Sequence, residues 1–226
     1  MGIGIVTGAS RGLGAALAHA LVDRGWRIVV DARDEQALRR EWSDPSRVVV
    51  VAGDVADPAH RRALVQAAGG PIDLVVNNAS ALGPSPLPRL AEYPLDELRR
   101  VYEVNVLAPL ALVQLALPHL APGARILDIT SDAGVEAYEG WGGYGSSKAA
   151  LEQSTAVLAA EHPQLRIYAV DPGDMRTQMH QDAFPGEDIS DRPLPETSIP
   201  GILSLINGEF PSGRYVARDV DPGGEQ

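Results

Sequence analysis

The chain has 226 residues, room for one α/β domain with a sizeable core, and its 45% hydrophobic and 22% charged residues are ordinary for a globular protein. A formal net charge of −11 argues against nucleic acid or an anionic membrane as the main partner, since both select clustered Lys and Arg. Cysteine is absent, which excludes disulfides, thiol catalysis, iron–sulfur clusters and Cys-based zinc sites, and of the 19 basic residues all but one, Lys148, are arginine.

The chain enters an apolar run at once, with no basic stretch before it, so no signal peptide is expected and the expected compartment is the cytoplasm. No uninterrupted apolar run is long enough to span a bilayer. Continuous apolar runs at residues 3–6, 28–30, 48–52, 72–76, 126–129, 167–170 and 215–217 read as strands buried on both faces. Helical patterns alternate with them at 13–24, 35–42, 58–68, 95–117, 144–161 and about 197–206. This alternation predicts a Rossmann-like, doubly wound parallel sheet of seven strands with helices on both faces. A single catalytic domain over residues 1–220 and a flexible tail at 221–226 are expected. Two long loops break the rhythm: 81–94, rich in Pro and Leu, and 178–198, rich in Pro and acidic residues and expected to be a substrate lid.

Thr7-Gly8-Ala9-Ser10-Arg11-Gly12-Leu13-Gly14 closes the first strand and opens the first helix. Glycines there let the backbone approach a pyrophosphate, and the helix N-terminus supplies unpaired N–H groups and a positive dipole end. A plain tight turn, or the similar loop of some S-adenosylmethionine enzymes, would give the same local pattern. Tyr144 and Lys148 are four residues apart and share one face of a helix. A free phenol has a pKa of about 10, and a cation one turn away favours the phenolate. The pair therefore suits general acid–base work on an alcohol or carbonyl oxygen. An amine is a compact charge with three donors, which a planar guanidinium cannot replace. The five histidines show no metal spacing, and no metal is expected.

The ordered set Thr7–Gly14, Asn77-Asn78-Ala79-Ser80, Tyr144-Gly145-Ser146-Ser147-Lys148 and Pro172-Gly173 with Thr177 resembles the short-chain dehydrogenase/reductase family over nearly the whole chain. Ser80 stands where glycine is commoner in that pattern, and the C-terminal region is short. The resemblance implies a catalytic set of Asn105, Ser131, Tyr144 and Lys148. In it Tyr144 is the acid/base, Ser131 steadies the substrate oxygen, Lys148 lowers the phenol pKa and binds ribose, and Asn105 holds a relay water. It also implies a dinucleotide held by Gly8, Ser10, Arg11, Gly12, Leu13 and Gly14, then by Asp54 and Val55 at the adenine. Asn78, Ala79, Tyr144 and Lys148 would lie at the ribose, and Pro172, Gly173, Met175 and Thr177 at the nicotinamide.

Counted from Gly14, the family's NAD-selecting acid aligns with Ala32, not Asp31, and neighbouring strand residues point to opposite faces. Arg33 and Arg11 can bind a 2′-phosphate, so NADP(H) is expected over NAD(H). The expected reaction is reduction of a ketone or aldehyde. Ser131, Tyr144, Trp141, Met179 and His180 would contact the substrate, with Leu82, Tyr138 and Phe184 as further pocket candidates. The alternatives are a nucleotide-sensing or scaffold protein of the same fold, and an epimerase or dehydratase of the same superfamily, whose chains are usually longer. Partners are expected to be a small carbonyl substrate and further copies of the chain, as a homodimer or homotetramer.

Overall fold

A computed structural model of the protein describes residues 2–43 and 46–221, so all of the expected tail except Asp221 lies outside the described residues. Seven strands form one sheet: β1 (Ile3–Val6), β2 (Arg27–Ala32), β3 (Val48–Ala52), β4 (Ile72–Asn77), β5 (Leu120–Ile129), β6 (Arg166–Asp171) and β7 (Gly213–Val216). They run in the order β3-β2-β1-β4-β5-β6-β7, and every neighbouring pair is parallel. The chain winds outward from β1 to β3, then returns to place β4 on the other side of β1. That reversal opens a crevice beyond the carboxyl ends of β1 and β4, the usual ligand position in such sheets.

Among the described residues eight α-helices cover the sheet: α1 (Gly12–Asp23), α2 (Glu35–Glu41), α3 (Pro58–Ala68), α4 (Leu95–Tyr102), α5 (Ala108–Ala116), α6 (Gly142–Glu161), α7 (Gln178–Ala183) and α8 (Ile199–Asn207). Successive strand residues face opposite sides. Val6, Val30, Val76 and Leu127 pack with Leu17, Leu21, Ile202 and Leu205 of α1 and α8. Their neighbours Ile5, Val29, Val75 and Ile126 pack with Leu64, Leu112 and Leu158 of α3, α5 and α6. The strands are apolar throughout because both faces are covered.

The structure departs from the expected elements in four places. β5 begins at Leu120, well before the apolar run, and β7 begins at Gly213. The helix expected at 95–117 is interrupted by a π-helical segment, Glu103–Leu107, between α4 and α5. By length and mean hydropathy of 1.5 alone, the stretch Leu95–His119 would qualify to cross a membrane; here α5 packs on α3 and α4 on α6. The expected lid loop contains α7, capped by the Thr177 side chain, and a 3₁₀ turn Pro195–Ser198 that leads into α8.

Candidate active site

The carboxyl ends of β1, β2, β4, β5 and β6 open onto one cavity of about 1760 Å³. At its floor the loop after β1 turns through Gly8, at φ +70°, where a Cβ would lie 2.9 Å from Cα of Ala79. Only glycine fits both the angle and the approach. Gly12, at φ +60°, faces the methyl of Thr177 across the cavity, so a side chain there would fill the cradle. Asn78 ties the loop from the other side, donating through Nδ2 to the carbonyls of Thr7 (2.8 Å) and Gly8 (3.2 Å). The Thr7 hydroxyl accepts from the backbone of Asn78 and Ala79, each at 3.0 Å.

Asp31 is buried under this loop. It accepts from Gly8 N at 2.7 Å and pairs with His60 Nε2 at 2.9 Å. Its carboxylate fastens the loop with both oxygens engaged, while Asp31 also lines the cavity. Burial pushes its pKa up, against the pull of His60 and Gly8. Ala32 leaves the rim open, and Arg33 and Arg11 line it, making no ion pair among the described residues. Ser10, Leu13, Asp54, Val55, Ala79, Pro172, Gly173 and Met175 line the same cavity; Gly14 lies behind the loop. Asp54 Oδ1 accepts from Ala56 N at 2.9 Å. The Thr177 hydroxyl accepts from His180 N at 3.3 Å, which leaves its own hydrogen free to donate. A glycine cradle closed by Thr177, with unpaired cations at one end, fits a phosphorylated dinucleotide.

Tyr144 and Lys148 share the inner face of α6, and both are buried. Lys148 Nζ lies 5.4 Å from the Tyr144 ring centre and donates to the Ile129 carbonyl at 2.7 Å, leaving two hydrogens unused. Burial lowers its pKa to about 8, although Asp128 and Glu152 pull it up. The expected drop in the Tyr144 pKa is reversed: burial pushes it up, and the carboxylates of Asp171 and Asp132 add to that. The nearby Ser80 and Ser131 hydroxyls, rather than the ammonium, pull it down. The cost of burying a phenolate outweighs the cation, which is turned to a carbonyl.

Ser131 sits at the end of β5, where its Oγ donates to Asp132 Oδ1 at 2.9 Å and caps a short 3₁₀ turn. Asn105 lies in the π-helical segment, 1% exposed and outside the cavity wall. Its Oδ1 accepts from Ala81 N (2.7 Å) and Ser80 Oγ (3.1 Å). Its Nδ2 donates to Ala81 O (2.9 Å) and Ser147 Oγ (2.9 Å). All four positions of the amide are taken within the protein. The side chain is a brace between β4's outlet and α6, and a relay water would have only its backbone to use.

Beyond Tyr144 the cavity becomes apolar. Leu82, Tyr144, Ala133 and Ala183 form a small cluster with Leu87, Trp141, Met179 and Phe184 against it. The Trp141 ring stands 5.8 Å from both Tyr144 and Phe184, and His180 lies 4.9 Å from Phe184. Tyr138 lines the mouth, donating to Asp132 and Glu136. Sequence reasoning passed over Arg214 on β7. Its Nε donates to Glu152 Oε1 of α6 at 3.0 Å, and Nη2 to Asp171 Oδ2 at 3.0 Å and to the Ser131 carbonyl at 3.4 Å. Asp171 Oδ1 in turn accepts from Gly173 N at 2.9 Å. These contacts join residues far apart in sequence, and no local pattern announces them. Ser80 was visible as a departure from the family pattern, but not as a partner of Asn105.

The sequence model of the short chain dehydrogenase family matches residues 3–188. The chain belongs to this family. Among its relatives, benzil reductase ((S)-benzoin forming) IRC24 of Saccharomyces cerevisiae is 34% identical over 193 residues, covering 79% of this chain and 73% of the relative. L-fucose dehydrogenase of Mus musculus is 33% identical over 184 residues, covering 79% and 67%. A short chain dehydrogenase from Shigella flexneri, solved in complex with NADP, superposes with a TM-score of 0.88 at 28% identity, covering 96% of this chain and 97% of that one. Family membership makes this chain an oxidoreductase with a Rossmann-like sheet and a small-molecule substrate.

Proposed function

We propose that this short chain dehydrogenase is an NADP(H)-dependent carbonyl reductase that interconverts a ketone or aldehyde with its alcohol. The observation that carries this reading is the placement of Ser131, Tyr144 and Lys148 on the wall of the cavity that holds the glycine cradle. Bound along that cradle, a reduced nicotinamide supplies hydride to the carbonyl carbon. The unpaired Arg33 and Arg11 beside Ala32 favour a 2′-phosphate, and the NADP complex of a structural relative supports the same choice.

Tyr144 gives its hydroxyl hydrogen to the carbonyl oxygen, and Ser131 Oγ turns from Asp132 to donate to that oxygen as charge develops on it. Lys148 offers two free hydrogens to ribose hydroxyls and, with a pKa of about 8, replaces the proton that Tyr144 has given. Asn105 holds the wall at Ala81. The apolar end, walled by Trp141, Met179, Phe184 and His180, suits an aryl or bulky alkyl ketone, in keeping with the benzil reductase relative. Leu95, Leu107 and Val157 are exposed on α4, the π segment and α6, which supports a homo-oligomer of single-domain chains built on residues 1–220.

The test is oxidation of NADPH and NADH against a panel of aryl and alkyl ketones, with wild type, Tyr144→Phe and Arg33→Ala. Turnover is expected with NADPH preferred, a fall of about 10²–10⁴-fold in Tyr144→Phe and loss of the NADPH preference in Arg33→Ala. Cofactor binding without turnover on any carbonyl would favour a sensor and overturn the proposal.

A further inference from the structure

The loop that forms the glycine cradle hangs on Asp31, near the carboxyl end of β2. Asp31 Oδ1 accepts from Gly8 N at 2.7 Å, and the Asp31 backbone carbonyl accepts from Ala9 N at 2.8 Å. Asp31 Oδ2 lies 2.9 Å from His60 Nε2, and the two side chains are 1% and 6% exposed. His60 stands in the first turn of α3 and packs its ring on Gly53, where a Cβ would lie 2.2 Å from Nδ1. Asp31 also lines the cavity beside Gly8, so the pair reaches from the interior to the back of the cradle. No step of the proposed reaction uses His60.

We propose that His60 is a positioning residue for the cofactor cradle: it acts through Asp31, and the pair takes up a proton when the dinucleotide binds. This rests on the cradle holding a dinucleotide. With Asp31 ionised and His60 neutral, a buried negative charge lies one hydrogen bond behind the loop that receives the phosphates. Like charges in a poorly solvated site disfavour one another. One further proton makes the pair neutral, whichever of Oδ2 and Nε2 holds it. The contact between these two atoms persists in each state, so Gly8 N keeps its acceptor and the cradle its shape. Burial already pushes the Asp31 carboxyl pKa up, and bound phosphates push the same way. By linkage, a ligand that favours the extra proton binds more tightly when the proton is present, so affinity falls as rising pH removes it. Histidine is the side chain that exchanges a proton between about pH 5 and 8. The other charges around the pair are Asp54, after β3, whose carboxylate adds to the burden on Asp31, and Arg61, which donates to the Val55 carbonyl at 2.5 Å. On the cavity rim, Arg11 and Arg33 keep their charge at every working pH, and His19 on α1 pairs with Glu41 at 2.7 Å.

The experiment is calorimetric titration of the full chain with NADPH and with NADH, from about pH 6 to about pH 8.5, for wild type, His60→Gln and Asp31→Asn. Gln offers Asp31 an N–H without a titrating ring, and Asn offers Gly8 N an acceptor without a charge. Wild type is expected to bind either cofactor about five- to tenfold more tightly than His60→Gln at the acid end and within about twofold of it at the alkaline end. Comparing the two proteins cancels His19 and the 2′-phosphate, which both retain. Asp31→Asn is expected to lose the same pH dependence, and it carries the test should His60→Gln fail to fold. In two buffers of different ionisation enthalpy near pH 7, wild type is expected to take up a larger fraction of a proton per cofactor bound than either variant. Equal or smaller uptake in wild type, or a His60→Gln affinity reduced by one constant factor at every pH, overturns the assignment of His60. A wild type that binds neither cofactor at any pH instead overturns the dinucleotide reading on which it rests.

Discussion

The role proposed for Lys148 sets chemistry against the fold. Its ammonium is buried with a single carbonyl contact, and its pKa drops from 10.5 to about 8. A cation whose pKa is lowered on folding burdens the folded state below about pH 8. The unfolded chain holds its proton up to about 10.5, so stability rises with pH between the two values. At about 1.4 kcal/mol per pH unit the burden near neutrality is ~3 kcal/mol, offset by ~1 kcal/mol for the bond to Ile129. Lys148→Met is therefore expected to fold more stably than wild type at pH 7, by ~2 kcal/mol in chemical denaturation, with turnover lost. Lys148→Arg keeps a charge but cannot match a compact, titratable amine, and its turnover is expected to fall at least about tenfold. Arginine carries the basic charge elsewhere in the chain, so wild-type turnover in Lys148→Arg would make the exception an accident of composition.

Contacts between elements decide how well these side chains are held. Arg214 reaches from β7 to α6 through Glu152 and to the end of β6 through Asp171, whose other oxygen holds the Gly173 amide. Arg214→Met leaves two carboxylates uncompensated and frees the loop expected at the nicotinamide. Dinucleotide affinity, read by fluorescence titration, is expected to weaken about five- to tenfold, with partial recovery in Arg214→Lys; unchanged binding would show that Gly173 needs no such support. The strands were legible in the sequence because burial on both faces leaves unbroken apolar runs. The π-helical segment was not, since Glu103–Leu107 has a composition that suits an α-helix equally well; it carries Asn105, whose amide bonds Ala81 and Ser147. Helix α7 was hidden by its six residues, too short for a periodic pattern. The candidate site was legible as residues but not as electrostatics. The i, i+4 spacing put Tyr144 beside Lys148, while the reversal of the phenol's shift depends on burial, Asp171 and Asp132, none of which spacing encodes.

At the scale of the molecule, one crevice at the reversal of strand order gathers every expected cofactor residue except Gly14 and the expected catalytic residues except Asn105. On the proposed function, the apolar end of the cavity is where the small carbonyl substrate would sit. Direct hydride delivery to a carbonyl beside Tyr144 is the central step of the proposed function. Reduction of an aryl ketone with NADPH deuterated in turn on each face of nicotinamide C4 tests this most directly, by mass spectrometry of the alcohol. One of the two cofactors is expected to place a single deuterium on the carbinol carbon of one enantiomer, and Tyr144→Phe to yield almost no labelled alcohol. Alcohol free of label from either cofactor, or equal labelling in Tyr144→Phe, would contradict the account.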